Sequence, residues 1–245
     1  MTGRRLAAQM RMELRLLLRN GENLLVTLGI PVGLLVFFTT VDVLPLDGPA
    51  VDFLLPGMLG AAVMGSAMVS LGIATGFERS YLVLKRLGAT PLRRGELIAA
   101  KSLSTLVILV LQVVVLVTAA LLLGWRVEAA NVARAVLIGG CALFLGASAF
   151  AGLGLAMAGR LPALSTLAIV NGLFVLLLLV SGVVFPLDTL PAWMAAGGRL
   201  LPSAALAEML RSGFAGSGPL IAPLGTLALW AVAMPALAAA VFRWE

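Results

Sequence analysis

The chain contains no histidine, one cysteine (Cys141) and one tyrosine (Tyr81). Without histidine there is no Ser-His-Asp triad, no imidazole proton relay and no His/Cys metal site. A single cysteine excludes an intrachain disulfide framework. Charge is scarce as well. Only 11% of the 245 residues are Asp, Glu, Lys or Arg, about half of what a soluble domain carries. None of the carboxylates falls in the middle of an apolar run, where ion-coupled carriers place their costly ionisable groups. Apolar residues are abundant instead: 61% of the chain is hydrophobic and the mean hydropathy is +1.11. The net charge of +6 does not point to nucleic acid, because the basic residues gather at the ends of apolar runs and not beside exposed aromatics.

These patterns read as an all-α polytopic membrane protein forming a single transmembrane domain over residues 1–245. Six spans are expected near 23–42, 53–76, 97–123, 133–157, 163–184 and 220–242, each close to the roughly 20 residues that a bilayer needs. Pro31 and Pro235 read as tolerable kinks, since neighbouring helices re-satisfy the freed carbonyls. Residues 4–20 read as an amphipathic interfacial helix. Arg11, Arg15 and Arg19 recur on one face, with Leu6, Met10, Leu14, Leu17 and Leu18 largely on another. The N-terminal stretch lacks the charged-then-apolar pattern and small-residue cleavage site of a leader, and reads as part of the mature protein. An even number of spans puts both termini on one side. That side holds thirteen Lys and Arg residues against four on the other, so both termini are expected in the cytoplasm. The long outer segment 185–219 is too polar and Pro-interrupted for a seventh span. Residues 186–214 are read as two short outer re-entrant or interfacial helices, covered by protein or lining water.

The basic loop ERSYLVLKRLGATPLRRGELIAAK, Glu78 to Lys101, carries Arg79, Lys85, Arg86, Arg93, Arg94 and Lys101. It lies between two apolar runs and is amphipathic. Within it, GELIAAKS (95–102) imitates a phosphate-binding G-x-x-x-x-G-K-[ST] loop. Ala100 replaces the second glycine and no strand precedes it, so no nucleotide site is expected. Lys101 and Ser102 read instead as a span entering the bilayer. Gln112, Ser148, Ser165, Thr166, Asn171 and Ser181 are polar groups suited to helix-to-helix hydrogen bonds. Gly72 and Gly76, Gly29 and Gly33, and the run GASAFAGLG (146–154) suit close helix packing. Gly60, Met64 and Met68 recur every four residues, and soft methionines beside small residues suit an apolar path. The residues singled out for a substrate path are Phe37, Phe38, Met64, Met68, Asn171, Phe174 and Phe185.

Three pieces together resemble the membrane (permease) subunit of type-2 ABC exporters, the family of drug and polysaccharide exporters, and in particular its short six-span bacterial members associated with drug resistance. They are FLLPGMLG (53–60), the Glu78–Lys101 loop, and SGVVFPLDTLPAWM (181–194) followed by LLPSAALAEMLR (200–211). The chain departs from the pattern at Ser80–Tyr81, where members often carry a glycine after the acidic-basic pair. The resemblance implies a multi-pass permease in the bacterial plasma membrane. It works as a dimer with a second copy or a sister permease, and moves an amphipathic drug, lipid or glycan. Residues 4–20 would be the elbow helix. The loop 78–96 would hold the coupling helix that docks on a separate ATPase subunit dimer. Its implied contact residues are Glu78, Arg79, Leu84, Lys85, Arg86, Leu87, Gly88, Ala89, Thr90, Pro91, Leu92, Arg93 and Arg94, with a smaller contact at Arg160. No cofactor binds this chain directly; ATP and Mg²⁺ would sit on the partner ATPase, so the chain is no enzyme. The alternative from another class is an ATPase-independent secondary transporter or channel, against which the absence of intramembrane charge speaks.

Overall fold

The computed structural model describes residues 2–19, 21, 25–41, 48–88 and 94–242, and all regular structure among them is helical. α1 (Thr2–Arg19) is the amphipathic helix read from the sequence. Arg11, Arg15 and Arg19 are exposed, while Met10 and Leu14 are half-buried and Gln9 is buried. A π-helical turn, Leu25–Gly29, leads into α2 (Ile30–Thr40), with Pro31 at its start. Pro31 has no N–H to continue the helical ladder, and the turn immediately upstream of it is π-helical. α3 runs from Ala50 to Ser80 and contains a π-helical stretch, Met64–Ser70. The short α4 (Val83–Gly88) precedes α5 (Arg94–Leu122). There follow α6 (Val132–Ala158), α7 (Ala163–Val180), α8 (Ala192–Gly198), α9 (Pro202–Phe214) and α10 (Ile221–Val241).

Five helices among the described residues are long and apolar enough to cross a bilayer: α3, α5, α6, α7 and α10. The first expected span appears as a shorter apolar helix, Thr27–Thr40. Its regular α-helical part has only 11 residues, because the entry turn is π-helical and its flanks, 22–24 and 42–47, lie outside the described residues.

α3 is the axis of the molecule. Helices α2, α5, α6, α7 and α9 all pack on it, α10 packs on α6 and α9, and α1 lies along α5. The core consists of Leu54, Leu55, Met58, Leu59, Met64 and Met68 from α3, Phe150 from α6, and Leu206 and Leu210 from α9. Lipid is as apolar as leucine, so membrane helices gain little by hiding leucine from it and depend on close backbone approach. Glycine supplies that approach here. A Cβ on Gly154 of α6 would sit 2.6 Å from the Met68 carbonyl oxygen of α3, and one on Gly152 would sit 2.4 Å from Pro235 N of α10. The run 146–154 is therefore where α6 meets its neighbours. Gly33, by contrast, has no foreign atom within 4 Å.

At the end of α3 away from Glu78, the turn after α7 crosses the helix, and a Cβ on Gly57 would sit 2.0 Å from the Val183 carbonyl oxygen. α9 is buried along nearly its whole length, packed between α3, α6 and α10.

Candidate functional site

The lower end of α3 joins four parts of the chain. Glu78 and Arg79 are consecutive, so the helix turns their side chains about 100° apart, and they take different partners. Glu78 Oε1 accepts a hydrogen bond from Lys101 Nζ of α5 at 2.7 Å. Lys101 Nζ also reaches Glu13 of α1, at 3.2 Å to Oε1 and 3.3 Å to Oε2. Gln9 Nε2 donates to Glu13 Oε1 at 2.8 Å, and Ser104 Oγ of α5 lies 3.3 Å from the Met10 carbonyl oxygen. Lys101 retains only 4% of its side-chain exposure, Glu13 12% and Glu78 21%. Arg79 turns the other way and donates from its guanidinium to the Leu161 carbonyl at 2.6 Å, in the turn between α6 and α7.

This cluster is the part of the site that sequence reasoning missed. Lys101 reads as a marker of bilayer entry, yet the structure gives it two carboxylates. Residues 88 positions apart in the chain leave no local periodic signal. A lysine among apolar residues just inside a span is the only hint, since burying an ammonium is costly unless it is paired.

Of the other residues assigned to coupling, Leu84 is buried and anchors α4, whereas Lys85 and Arg86 beside it are exposed. Arg160 is exposed in the α6–α7 turn that Arg79 holds. Leu87, Gly88 and Arg94 have helical backbone. Ala89, Thr90, Pro91, Leu92 and Arg93 lie outside the described residues. The turn before α4 passes through Leu82, whose φ is 59°, close to the point where the resemblance anticipates a glycine.

Above this junction a cleft of about 540 Å³ opens between α2, α3 and α7. Pro31 and Leu34 line one wall, Gly65 and Val69 the back, and Asn171 and Phe174 the other wall, with Glu13 and Glu78 at its lower end. Two of the residues singled out for a path, Asn171 and Phe174, thus meet on one cavity. Met64 and Met68 do not line it: both are 0% exposed and belong to the core of α3. Four-residue spacing puts them on one stripe, and that stripe faces the packing neighbours. Phe38 packs on the core. Phe37 is exposed and sits edge-on to Phe38 at 5.2 Å between centroids. Phe185 is exposed in the turn after α7.

Gln112 of α5 stands behind the cleft. Its Oε1 accepts from Ser66 Oγ at 2.6 Å and its Nε2 donates to the Thr27 carbonyl at 3.1 Å. Ser66 lies in the π-helical stretch of α3 and Thr27 in that before α2. A wide turn displaces backbone groups from the regular ladder, and here one side-chain amide serves both turns. Ser148 likewise bonds across helices, to the Ala231 carbonyl at 2.9 Å. Thr166, Asn171 and Ser181 bond carbonyls one turn back in the chain, contrary to the expectation of helix-to-helix bonds.

The opposite end of α3 has its own anchor. Arg211 of α9 lies with its guanidinium carbon 3.9 Å from the Phe53 ring centroid and donates to the Gly182 carbonyl. It therefore connects the first and third of the sequence pieces, at Phe53, Gly182 and its own position in 200–211, in space.

An axial helix held by glycine contacts, a short helix with exposed Lys85 and Arg86 at one end and a side cleft above it are what the described residues bring together. No curated protein matches the chain significantly in sequence. The family model described as ABC-2 type transporter matches residues 5–215, from α1 through the end of α9. The pieces joined by Arg211, the α1–α3–α5 junction and the α3 axis all fall within that stretch, and the chain belongs to the ABC-2 type transporter family of multi-pass membrane proteins.

Proposed function

We propose that this chain is the permease subunit of an ATP-driven exporter in a bacterial plasma membrane, with α1 as the elbow helix, six spans and both termini in the cytoplasm. Residues 1–245 act as one transmembrane domain. The observation that carries the reading is the family match over residues 5–215, supported by the exposed basic face of Lys85 and Arg86 on a short helix anchored by Leu84. A transport chain whose family is defined by its membrane domain draws its energy from elsewhere. Here a separate ATPase dimer binds ATP and Mg²⁺ and closes, and the coupling loop 78–96 carries that closure into the spans. Glu78, Arg79 and Leu84 hold the loop on the spans. Lys85, Arg86, Leu87, Gly88, Ala89, Thr90, Pro91, Leu92, Arg93 and Arg94 form the docking surface, and Arg160 adds a smaller contact. A second permease copy or a sister permease closes the open side of the cleft, and an amphipathic drug, lipid or glycan passes along it, beside Asn171 and Phe174. Nucleic acid plays no part.

The test is a mild-detergent pull-down from native membranes with an ATPase assay on what is captured. An ATPase accompanies the chain, and its capture is lost on Arg93→Glu with Arg94→Glu while insertion of the spans is unchanged. A chain that folds, comes alone and transports by itself overturns the reading in favour of a secondary transporter.

A further inference from the structure

The ionic cluster at the base of α3 has features that mere helix packing does not require. It contains two carboxylates and one ammonium, from three different helices: Glu13 of α1, Glu78 of α3 and Lys101 of α5. The ammonium is the most buried of the three and contacts both acids. A buried ion pair is a poor source of stability, because apolar residues of the same size serve as well or better; it gains meaning as a device that fixes one arrangement. The next residue, Arg79, ties the same helix end to the α6–α7 turn through the Leu161 carbonyl. The chain then enters α4 within four residues.

We propose that Lys101 is the positioning residue of an ionic clamp that binds α1 to the lower ends of α3 and α5. With this clamp closed, the interfacial helix moves together with the segment that enters α4. The inference rests on the exporter reading for its role in transport, though not for the clamp itself. Among the described residues, α1 otherwise packs mainly along α5. Removing the ammonium leaves the Glu13 and Glu78 carboxyls without their shared partner, so no ionic contact ties α1 to α3. Removing Glu13 alone keeps the Lys101–Glu78 pair and releases only α1. Movement of α4 then still reaches α3 and α5, but no longer reaches the interfacial helix.

The test places spin labels on the full chain in lipid nanodiscs, at Met12→Cys on α1 and Val114→Cys on α5, both exposed positions, with Cys141→Ala. The parent gives one narrow distance. Lys101→Met loses it and gives a broad distribution. The exchange Lys101→Glu with Glu78→Lys keeps one lysine and two glutamates in the cluster and restores the narrow distance. Where Lys101→Met does not fold, Glu13→Gln carries the same test. A distance as narrow in Lys101→Met or Glu13→Gln as in the parent overturns the clamp, as does an exchange variant that folds without restoring it. In the presence of a captured ATPase, Lys101→Met, at a position that does not line the cleft, keeps ATP hydrolysis and loses transport, a split that simple loss of fold does not produce. The distance needs no ATPase, so a restored distance with no ATPase captured supports the clamp and counts against the exporter reading alone.

Discussion

At the scale of single residues, the turn before α4 carries a conformational cost that a substitution can remove. Leu82 has φ 59° and is 54% exposed, so its side chain gains little packing in return for a left-handed backbone. Such a conformation costs a residue with a Cβ about 1–2 kcal/mol, and glycine adopts it without that penalty. Leu82→Gly is expected to be more stable than Leu82→Ala by about 1 kcal/mol, read as a higher unfolding temperature of the detergent-solubilised protein. Equal stability of the two variants would remove the strain argument. The resemblance to the permease family anticipates a glycine just after Glu78–Arg79. The structure puts the left-handed position three residues after Arg79, at Leu82. Strain of this kind persists where surrounding structure over-determines it, and here Leu84 is buried on one side and Arg79 is bonded to Leu161 on the other.

At the scale of elements, α6 shows how glycine decides which helices touch. A methyl group on Gly152 has no room beside Pro235 N and Met234 C of α10, whereas Gly140 on the same helix has no foreign atom within 4 Å. Gly152→Ala should cost about 1–3 kcal/mol or more, as overpacking against backbone does. Gly140→Ala should be neutral or slightly stabilising, because alanine is the better helix former. Thermal unfolding of the two variants side by side checks this, and equal loss in both would mean that α6 and α10 do not meet there. The elements were largely legible in the sequence. Long apolar runs fix α3, α5, α6, α7 and α10 to within a few residues, and the four-residue arginine spacing fixes the exposed face of α1. Their internal irregularities were not legible. The π-helical turns at Leu25–Gly29 and Met64–Ser70 share Gln112 as a hydrogen-bonding partner from another helix, and hydropathy carries no trace of that. The Met64/Met68 stripe misled for a related reason: periodicity says which residues share a face but not what the face meets.

At the scale of the whole molecule, the burial of α3 and the exposure of the others set what movement is possible. α3 is enclosed by five helices, while much of α7 and α10 is apolar and exposed. Single apolar side chains on lipid-facing helices need no partner, but the cleft between α2 and α7 exposes the axial helix itself, along Gly65 and Val69. Gly65 is the point at which this can be tested with least damage. A Cβ there would have Phe174 Cε2 at 4.0 Å as its nearest foreign atom, so a larger side chain projects into the cleft without meeting backbone. Under the exporter reading, Gly65→Leu narrows the cargo path while the spans, the clamp and the docking surface are untouched. Transport by the assembled complex should fall about ten-fold or more, since transfer through a constriction pays the full cost of forcing side chains aside, and 1.4 kcal/mol already gives ten-fold. Insertion, unfolding temperature and ATPase capture should match the parent. Wild-type transport in Gly65→Leu would place the path elsewhere, away from Asn171 and Phe174. Lost capture would instead mean that the cleft and the α4 face are one cooperative unit, in which a change at mid-span is felt at the cytoplasmic end through α3.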